Sequence, residues 1–245
     1  MEVNMNFTDK ELLRSSQIAY YDISSNAISE IPEEYRSVCT LKTLFCHSVT
    51  FRDSIYKSLS VTCGFTVTEN DKEENVLDNK ALEGNEAKKV AVSAVYDIIE
   101  ELQDDKVGSI GSWKLVSFVF NDDIGVKGVA GKLVDGQWVT DNEFSPSGDG
   151  LCAYVFETAD DSAIVAFRGS QPLDNVDIMD FVSDWLAADI GLALENDETV
   201  QQKSTEQYIK DYVNVLGYDH YAFAGHSLGG NLSPRLNNRI IQSAA

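Results

Sequence analysis

Apolar residues recur at helical spacing in the first part of the chain. Across residues 86–103 they return every three or four positions, which predicts an amphipathic helix with one buried face. These positions are Ala87, Val90, Ala91, Ala94, Val95, Ile98 and Leu102. A second helix is predicted over residues 9–20, because Thr8 and Glu11 have the spacing of a capping box, in which each side chain accepts a backbone N–H of the first turn.

Two other stretches of this part lack such a pattern. Residues 31–65 mix apolar and polar positions without a clean period and give only a weak prediction. Residues 69–86 are rich in acidic side chains and Asn, with few large apolar groups, which predicts an exposed loop or linker. We therefore expect residues 1–104 to form a mostly helical N-terminal region, either a layer on the rest of the chain or a subdomain.

The second part of the chain is rich in β-forming residues. Residues 113–120 predict a strand, and glycine-containing turns lead from it to a short apolar stretch at 137–139. Residues 151–156 and 163–167 are continuous apolar runs joined by the turn Asp160-Asp161-Ser162. Such runs are expected for strands that are covered on both faces.

Helical segments and one short strand follow. Residues 177–194 predict a helix at least in part, and a further helix should end at Gly217. The apolar positions of that further helix are Val200, Ile209, Tyr212, Val213 and Leu216. Residues 221–224 predict a short strand. This order of strands and helices predicts an α/β domain over residues 105–245.

Composition excludes some classes of partner. The chain has 40 acidic and 19 Lys or Arg residues, a net charge of −21, which argues against nucleic acid and anionic membrane surfaces as ligands. Four cysteines without a C-x-x-C pair predict free thiols, and the three histidines have no metal-site spacing, so we expect no metal or cofactor. Without a signal-like N-terminus or a membrane span, we expect a cytoplasmic protein, although export that reads no N-terminal signal stays open.

The strand at 221–224 runs directly into the motif Gly225-x-Ser227-x-Gly229, the signature of a nucleophile elbow. In such an elbow a strand turns sharply into a helix, and the glycines remove side chains that would collide with neighbouring elements. Ser227 is then exposed as the catalytic nucleophile, and the backbone N–H of Leu228 can donate to the oxyanion. The structural alternative is a glycine-rich turn with an idle serine.

The three histidines are poor candidates for the general base. His226 is adjacent to Ser227 in the chain, so its side chain is expected on the other side of the turn, out of hydrogen-bond reach of the hydroxyl. His220 begins the strand that leads to the elbow. His47 lies in the N-terminal region, and a catalytic role for it would require an unusual fold.

The segments Ala163-Ile164-Val165-Ala166-Phe167-Arg168-Gly169-Ser170, Asp184-Trp185-Leu186 and residues 225–230 resemble the class 3 lipases, which are triacylglycerol lipase-like α/β-hydrolases. The bacterial intracellular lipase-like group is the most similar, and its opening helix with a Tyr-rich end resembles Ala19-Tyr20-Tyr21-Asp22. The resemblance covers residues 150–231 well and the N-terminus loosely.

This resemblance implies an α/β-hydrolase-type sheet, an acyl-ester or lipid substrate and no cofactor. It assigns the second oxyanion-hole group to Ser170, through its backbone N–H with its hydroxyl as a further donor, and makes His226 structural. By the same resemblance we expect Arg168 to be a structural ion-pair partner near the site, and Asp184 and Asp189 to be surface or supporting residues.

The sequence departs from the family after the elbow. The family triad runs Ser, then Asp or Glu, then His, but the 18 residues after Ser227 contain no Asp, no Glu and no His. Pro234 also falls where the family's buried helix should continue, and a proline inside a helix costs about 3 kcal/mol. We therefore expect a C-terminally incomplete sheet, and we hypothesise that the tail from Ser233 is not native family sequence.

Three interpretations remain. The first is a serine carboxylic ester hydrolase of the lipase or esterase type that acts through an acyl-enzyme on Ser227 and is impaired because its triad Asp and His are missing. The second is a catalytically inactive truncated hydrolase or a binding module. The third keeps the elbow but changes the substrate to a phospholipid, thioester or peptide, with a lid at 171–180. The sequence leaves acyl-chain length and oligomeric state open.

Overall fold

A computed structural model describes residues 7–121, 127–144, 151–158, 162–168 and 200–225. In these residues six strands form one mixed sheet, and helices cover both of its faces. This arrangement confirms the broad α/β class that the sequence predicted. The predicted helix at 177–194, and Asp160 and Asp161 of the predicted turn, lie outside the described residues.

The N-terminal region is helical, as predicted. Its longer helices are α1 (Asp9–Ile18), α4 (Leu41–His47), α5 (Val49–Cys63) and α7 (Glu86–Gln103), with short helices α2 (Ser25–Ser29), α3 (Glu33–Arg36) and α6 (Glu73–Leu77) between them. The capping box is present, because the Thr8 hydroxyl accepts the Glu11 N–H at 3.2 Å and a Glu11 carboxylate oxygen accepts the Thr8 N–H at 2.7 Å.

Two parts of this region differ from the prediction. Helices α4 and α5 occupy the stretch that showed no clean period, and Ser48 ends the first and caps the second. The predicted loop at 69–86 is wrong in part, because α6 and the 3₁₀ turn Lys80–Leu82 lie within it. Val76 and Leu82 anchor this segment in the core at 3% and 0% exposure.

Helix α7 has the predicted span but a slightly different buried face. Its buried positions include Val92 and Ile99, whereas Val90 is 69% exposed. The apolar stripe is therefore rotated by about one position from the predicted one.

The sheet has the strand order β3-β2-β1-β4-β5-β6. The strands are β1 (Lys114–Asn121), β2 (Val129–Val134), β3 (Gln137–Asp141), β4 (Leu151–Glu157), β5 (Ser162–Phe167) and β6 (His220–Gly225). Neighbouring strands are antiparallel except β5 and β6, which are parallel. Strand β2 was not predicted, and for β3 the sequence analysis predicted only turns that lead to residues 137–139. The strands predicted at 113–120, 151–156, 163–167 and 221–224 are confirmed.

Each face of the sheet belongs to its own apolar cluster. Helices α1 to α7 pack on one face, where Phe118, Tyr154, Phe156, Ile164 and Ala224 lie in their core. On the other face packs α8 (Val200–Tyr208), which continues as a π turn over Ile209–Val213 and a 3₁₀ turn over Asn214–Leu216. It ends at Gly217, whose φ of 74° is the left-handed conformation expected of a helix stop.

The helical region and the sheet share one apolar cluster, so the N-terminal helices form a layer on the sheet. The division of the chain into domains at residues 104 and 105 stays a prediction. No helix in the described part of the chain combines the length and the apolar character that a membrane crossing requires.

Candidate active site

The two parallel strands β5 and β6 end side by side at one end of the sheet. Phe167, the last residue of β5, pairs in register with Gly225, the last residue of β6. Parallel neighbours run in the same direction, so both chains leave the sheet at this end, which we call the motif end. In sequence, Ser170 follows Phe167 by three residues and Ser227 follows Gly225 by two.

Gly225 is the predicted site residue that the structure describes, and it is the last residue of β6, while its role as an elbow glycine stays a prediction. Ser227, Leu228, Gly229 and Ser170 lie outside the described residues, as do His226, Asp184, Asp189, the predicted lid at 171–180 and the tail from Ser233. Their roles as nucleophile, oxyanion donors and elbow glycine stay predictions.

Small side chains let α1 approach the two parallel strands closely. Ala222 and Ala224 of β6 and Ala166 of β5 face the helical layer, and α1 packs across both strands. Tyr221 and Phe223 of β6 face the opposite side and pack against the cluster around α8. This alternation follows from the period of two along a strand, and it covers both faces of the strand that leads to the motif.

Arg168 directly follows β5 at the motif end. Its side chain is 6% exposed, and its backbone N–H donates to the Cys152 carbonyl at 2.9 Å, which extends the pairing of β5 with β4. Its guanidinium carbon lies 5.5 Å from the centre of the Phe120 ring, at the end of β1. Arg168 is therefore buried directly after the last residue of β5, and both its position near the site and its ion pair stay predictions.

Tyr154 lies beneath the helical layer near this arginine. Burial raises the pKa of Tyr154 above its ordinary value, the charge of Arg168 lowers it, and the charge of Asp22 raises it. Tyr154 is therefore a neutral phenol at physiological pH. The turn that carries Asp22 follows α1, so the Tyr-rich end of α1 covers the same part of the sheet as Arg168.

Sequence reasoning missed Phe120, Tyr154 and Asp22 as neighbours of the motif end. Phe120 reaches it because β1 pairs with β4 in a register that sets Phe120 against Cys152. This pairing joins residues far apart in sequence, and nothing in the local pattern signals it.

Neither described histidine lies at the motif end. His220 is exposed and begins β6, so the rise of a strand separates it from Gly225 by roughly 16 Å. His47 is exposed and stacks on Tyr35 at 5.1 Å. Thr40, just before α4, forms a bridge with Lys114, the first residue of β1, which anchors α4 at the end of the sheet opposite the motif end.

Cysteines and carboxylates offer no evident ligand set. Among the described residues, no three His, Cys, Asp or Glu side chains form a group that could hold a metal ion. Cys39, Cys63 and Cys152 are buried free thiols, and Cys46 is exposed. Burial raises the pKa of Cys39 to about 12 and that of Cys63 to about 11, so both are protonated and unreactive at neutral pH.

No protein-family model, no curated protein and no solved structure matches the chain. The assignment of the site therefore depends on the motif residues and on the strands that carry them.

Proposed function

We propose that the chain is a serine carboxylic ester hydrolase of the lipase or esterase type, with Ser227 as nucleophile in an α/β-hydrolase-type sheet. The parallel pairing of Phe167 with Gly225 carries this proposal. A nucleophile elbow needs a strand that ends directly before it, and β6 ends at Gly225. The neighbouring parallel strand leads to Ser170, the residue that resembles the second oxyanion donor.

The proposed reaction proceeds through an acyl-enzyme. The Ser227 hydroxyl oxygen attacks the ester carbonyl carbon, and because no Asp, Glu or His follows Ser227 in the chain, the hydroxyl proton passes to water, which makes this step slow. The carbonyl oxygen becomes an oxyanion that accepts hydrogen bonds from the backbone N–H groups of Leu228 and Ser170. Collapse of this intermediate breaks the ester C–O bond, and the alcohol leaves with the proton. Water then attacks the acyl carbonyl carbon and a second oxyanion forms. Its collapse breaks the bond to the Ser227 oxygen, so the carboxylic acid leaves and the Ser227 hydroxyl is restored.

A second candidate is a catalytically inactive hydrolase that acts as a binding module. The positions of His220 and His47 favour it, because neither lies at the motif end where a base would have to contact Ser227. A chain with the nucleophile but without a base retains only the catalysis that the oxyanion hole and substrate binding supply, on the order of 10³-fold over water. A base from a second chain would restore the first candidate.

Hydrolysis of a short-chain chromogenic ester by the full chain tests the proposal. We expect turnover above that of the Ser227→Ala variant, and covalent labelling of Ser227 by a fluorophosphonate, located by mass spectrometry. Ser112→Ala is the matched control, because the Ser112 hydroxyl donates to a local carbonyl near the start of β1, away from the motif end.

Equal turnover by the unsubstituted chain and the Ser227→Ala variant, together with no labelling of Ser227, would contradict an ester hydrolase and favour the binding module. If Ser112→Ala also abolished turnover, the loss of activity in Ser227→Ala would be explained by misfolding rather than by removal of the nucleophile.

A further inference from the structure

A buried arginine next to the motif end requires an explanation. Removing a guanidinium from water is unfavourable unless the surrounding groups compensate. Arg168 is nevertheless 6% exposed and directly follows β5. The side chains that precede it on the same face of β5, Ile164 and Ala166, belong to the apolar cluster beneath the helical layer, so a leucine or methionine would fit there by hydrophobicity alone.

The contacts of Arg168 join three strands at one point. Its backbone N–H is bonded to Cys152 of β4 at 2.9 Å, and its guanidinium lies over the Phe120 ring of β1 at 5.5 Å. A planar guanidinium stacks on an aromatic ring in a fixed orientation, which a lysine ammonium does not reproduce. The chain that leaves β5 is therefore fixed at Arg168 both by its main chain and by its side chain.

We propose that Arg168 is a positioning residue, which fixes the end of β5 from which the oxyanion donor Ser170 follows. This inference rests on the proposed ester hydrolase function. An oxyanion donor acts only if its N–H points to the place where negative charge develops, and a displacement of about 1 Å costs about 100-fold in rate. One residue, Gly169, separates Arg168 from Ser170 in the sequence, so a displaced strand end also displaces the proposed donor.

Arg14, the other buried arginine among the described residues, offers a matched control. Arg14 of α1 is 9% exposed, and its guanidinium pairs with Glu101 of α7 at 3.0 Å. Replacing either arginine by lysine keeps the charge and removes the planar group. The two variants therefore differ in location rather than in the kind of change.

The experiment compares the unsubstituted chain, Arg168→Lys and Arg14→Lys in ester hydrolysis. For Arg168→Lys we expect kcat to fall by about 10- to 100-fold with KM unchanged, because an oxyanion donor acts in the transition state. For Arg14→Lys we expect a lower melting temperature and an unchanged kcat. Phe120→Leu is the milder second variant, with a smaller fall in kcat, should Arg168→Lys fail to fold.

Hydrogen exchange of a peptide covering residues 163–168 provides a readout that does not depend on activity. In Arg168→Lys we expect faster exchange there, since the Arg168 N–H bond to Cys152 loosens, and in Arg14→Lys we expect faster exchange in α1 and α7 instead.

The outcomes separate the two proposals. An active chain whose Arg168→Lys variant keeps its kcat, or loses kcat without any change in exchange at 163–168, overturns the positioning role and leaves the ester hydrolase standing. A chain without Ser227-dependent turnover overturns the ester hydrolase, and the positioning role with it.

Discussion

The two ends of the sheet differ in how their polar groups are used. At the opposite end, where β1 begins, Lys114 forms an ion pair with Glu157, and the Tyr218 hydroxyl donates to the other oxygen of the same carboxylate. At the motif end, the Arg168 guanidinium is buried over an aromatic ring, and two strands end side by side. An ion pair also lies at the motif end, between Lys127 just before β2 and Glu143 just after β3, so ionisable side chains do not by themselves distinguish the end that carries the candidate chemistry.

This contrast shows what identifies a site in such a sheet. Ionisable side chains that pair with one another at the surface hold strands together and contribute little else. Parallel strands that end together bring separate chain segments to one place, where backbone N–H groups and a nucleophile can converge. The direction of β5 and β6 is therefore more informative than the number of charges at either end.

The largest loss of stability is expected in the core near the opposite end, at Phe156 of β4, which directly precedes Glu157. Its side chain is fully buried and packs against Trp113 and Tyr154, with ring centres 6.2 Å apart in both cases. Phe156→Ala should lower the free energy of unfolding by about 3–5 kcal/mol, because it removes apolar contacts and leaves a cavity. Urea unfolding followed by circular dichroism measures this, and Phe156→Leu should cost about 1 kcal/mol. Equal midpoints for both variants would mean that β4 is not packed as described.

A much smaller loss is expected at the opposite end. Glu157→Gln removes the charge that pairs with Lys114, and the lysine side chain is 43% exposed. The expected loss is less than about 1 kcal/mol, or a fall in melting temperature of about 2–4 °C, and it should shrink as salt is added. If Glu157→Gln lowered the free energy of unfolding as much as Phe156→Ala does, the pair of Lys114 and Glu157 would be a major stabilising contact and not a solvent-exposed ion pair.

No loss of activity is expected from the histidines of the opposite end. His47→Ala and His220→Ala should keep ester turnover within about twofold of the unsubstituted chain, because a base must lie within hydrogen-bond reach of Ser227. Steady-state kinetics beside Ser227→Ala measures this. If either variant fell to the level of Ser227→Ala, the site would extend to the end of the sheet from which we exclude it.

Much of the local structure follows from the sequence. The capping box at Thr8, the periodic face of α7 and the apolar runs of β4 and β5 each depend on residues close together in the chain, and each is present. Gly217 ends the last helical turn as its backbone freedom predicts. The position of Gly225 at the end of β6 also follows, because an apolar strand leads directly to it.

Strand β2 and helices α4 and α5 were harder to predict for physical reasons. Gly131 suggests a turn within β2, but an added Cβ there would lie 2.4 Å from the Phe118 ring, so glycine is needed for packing between strands. In α5, buried Phe51, Ile55 and Leu59 alternate with polar and β-branched residues that blur the period. The contact of Arg168 with Phe120 depends on the pairing of β1 with β4, which no local pattern encodes.

The parallel pairing of β5 with β6 also has a consequence for synthesis of the chain. The hairpin of β4 and β5 can form once residue 167 has left the ribosome, but β6 is complete only when residue 225 follows. At ordinary elongation rates this delay is on the order of seconds. During that time β5, apolar on both faces, has an open side that can pair with other chains. The strand that leads to the candidate nucleophile is therefore also the one that closes this side of the nascent sheet.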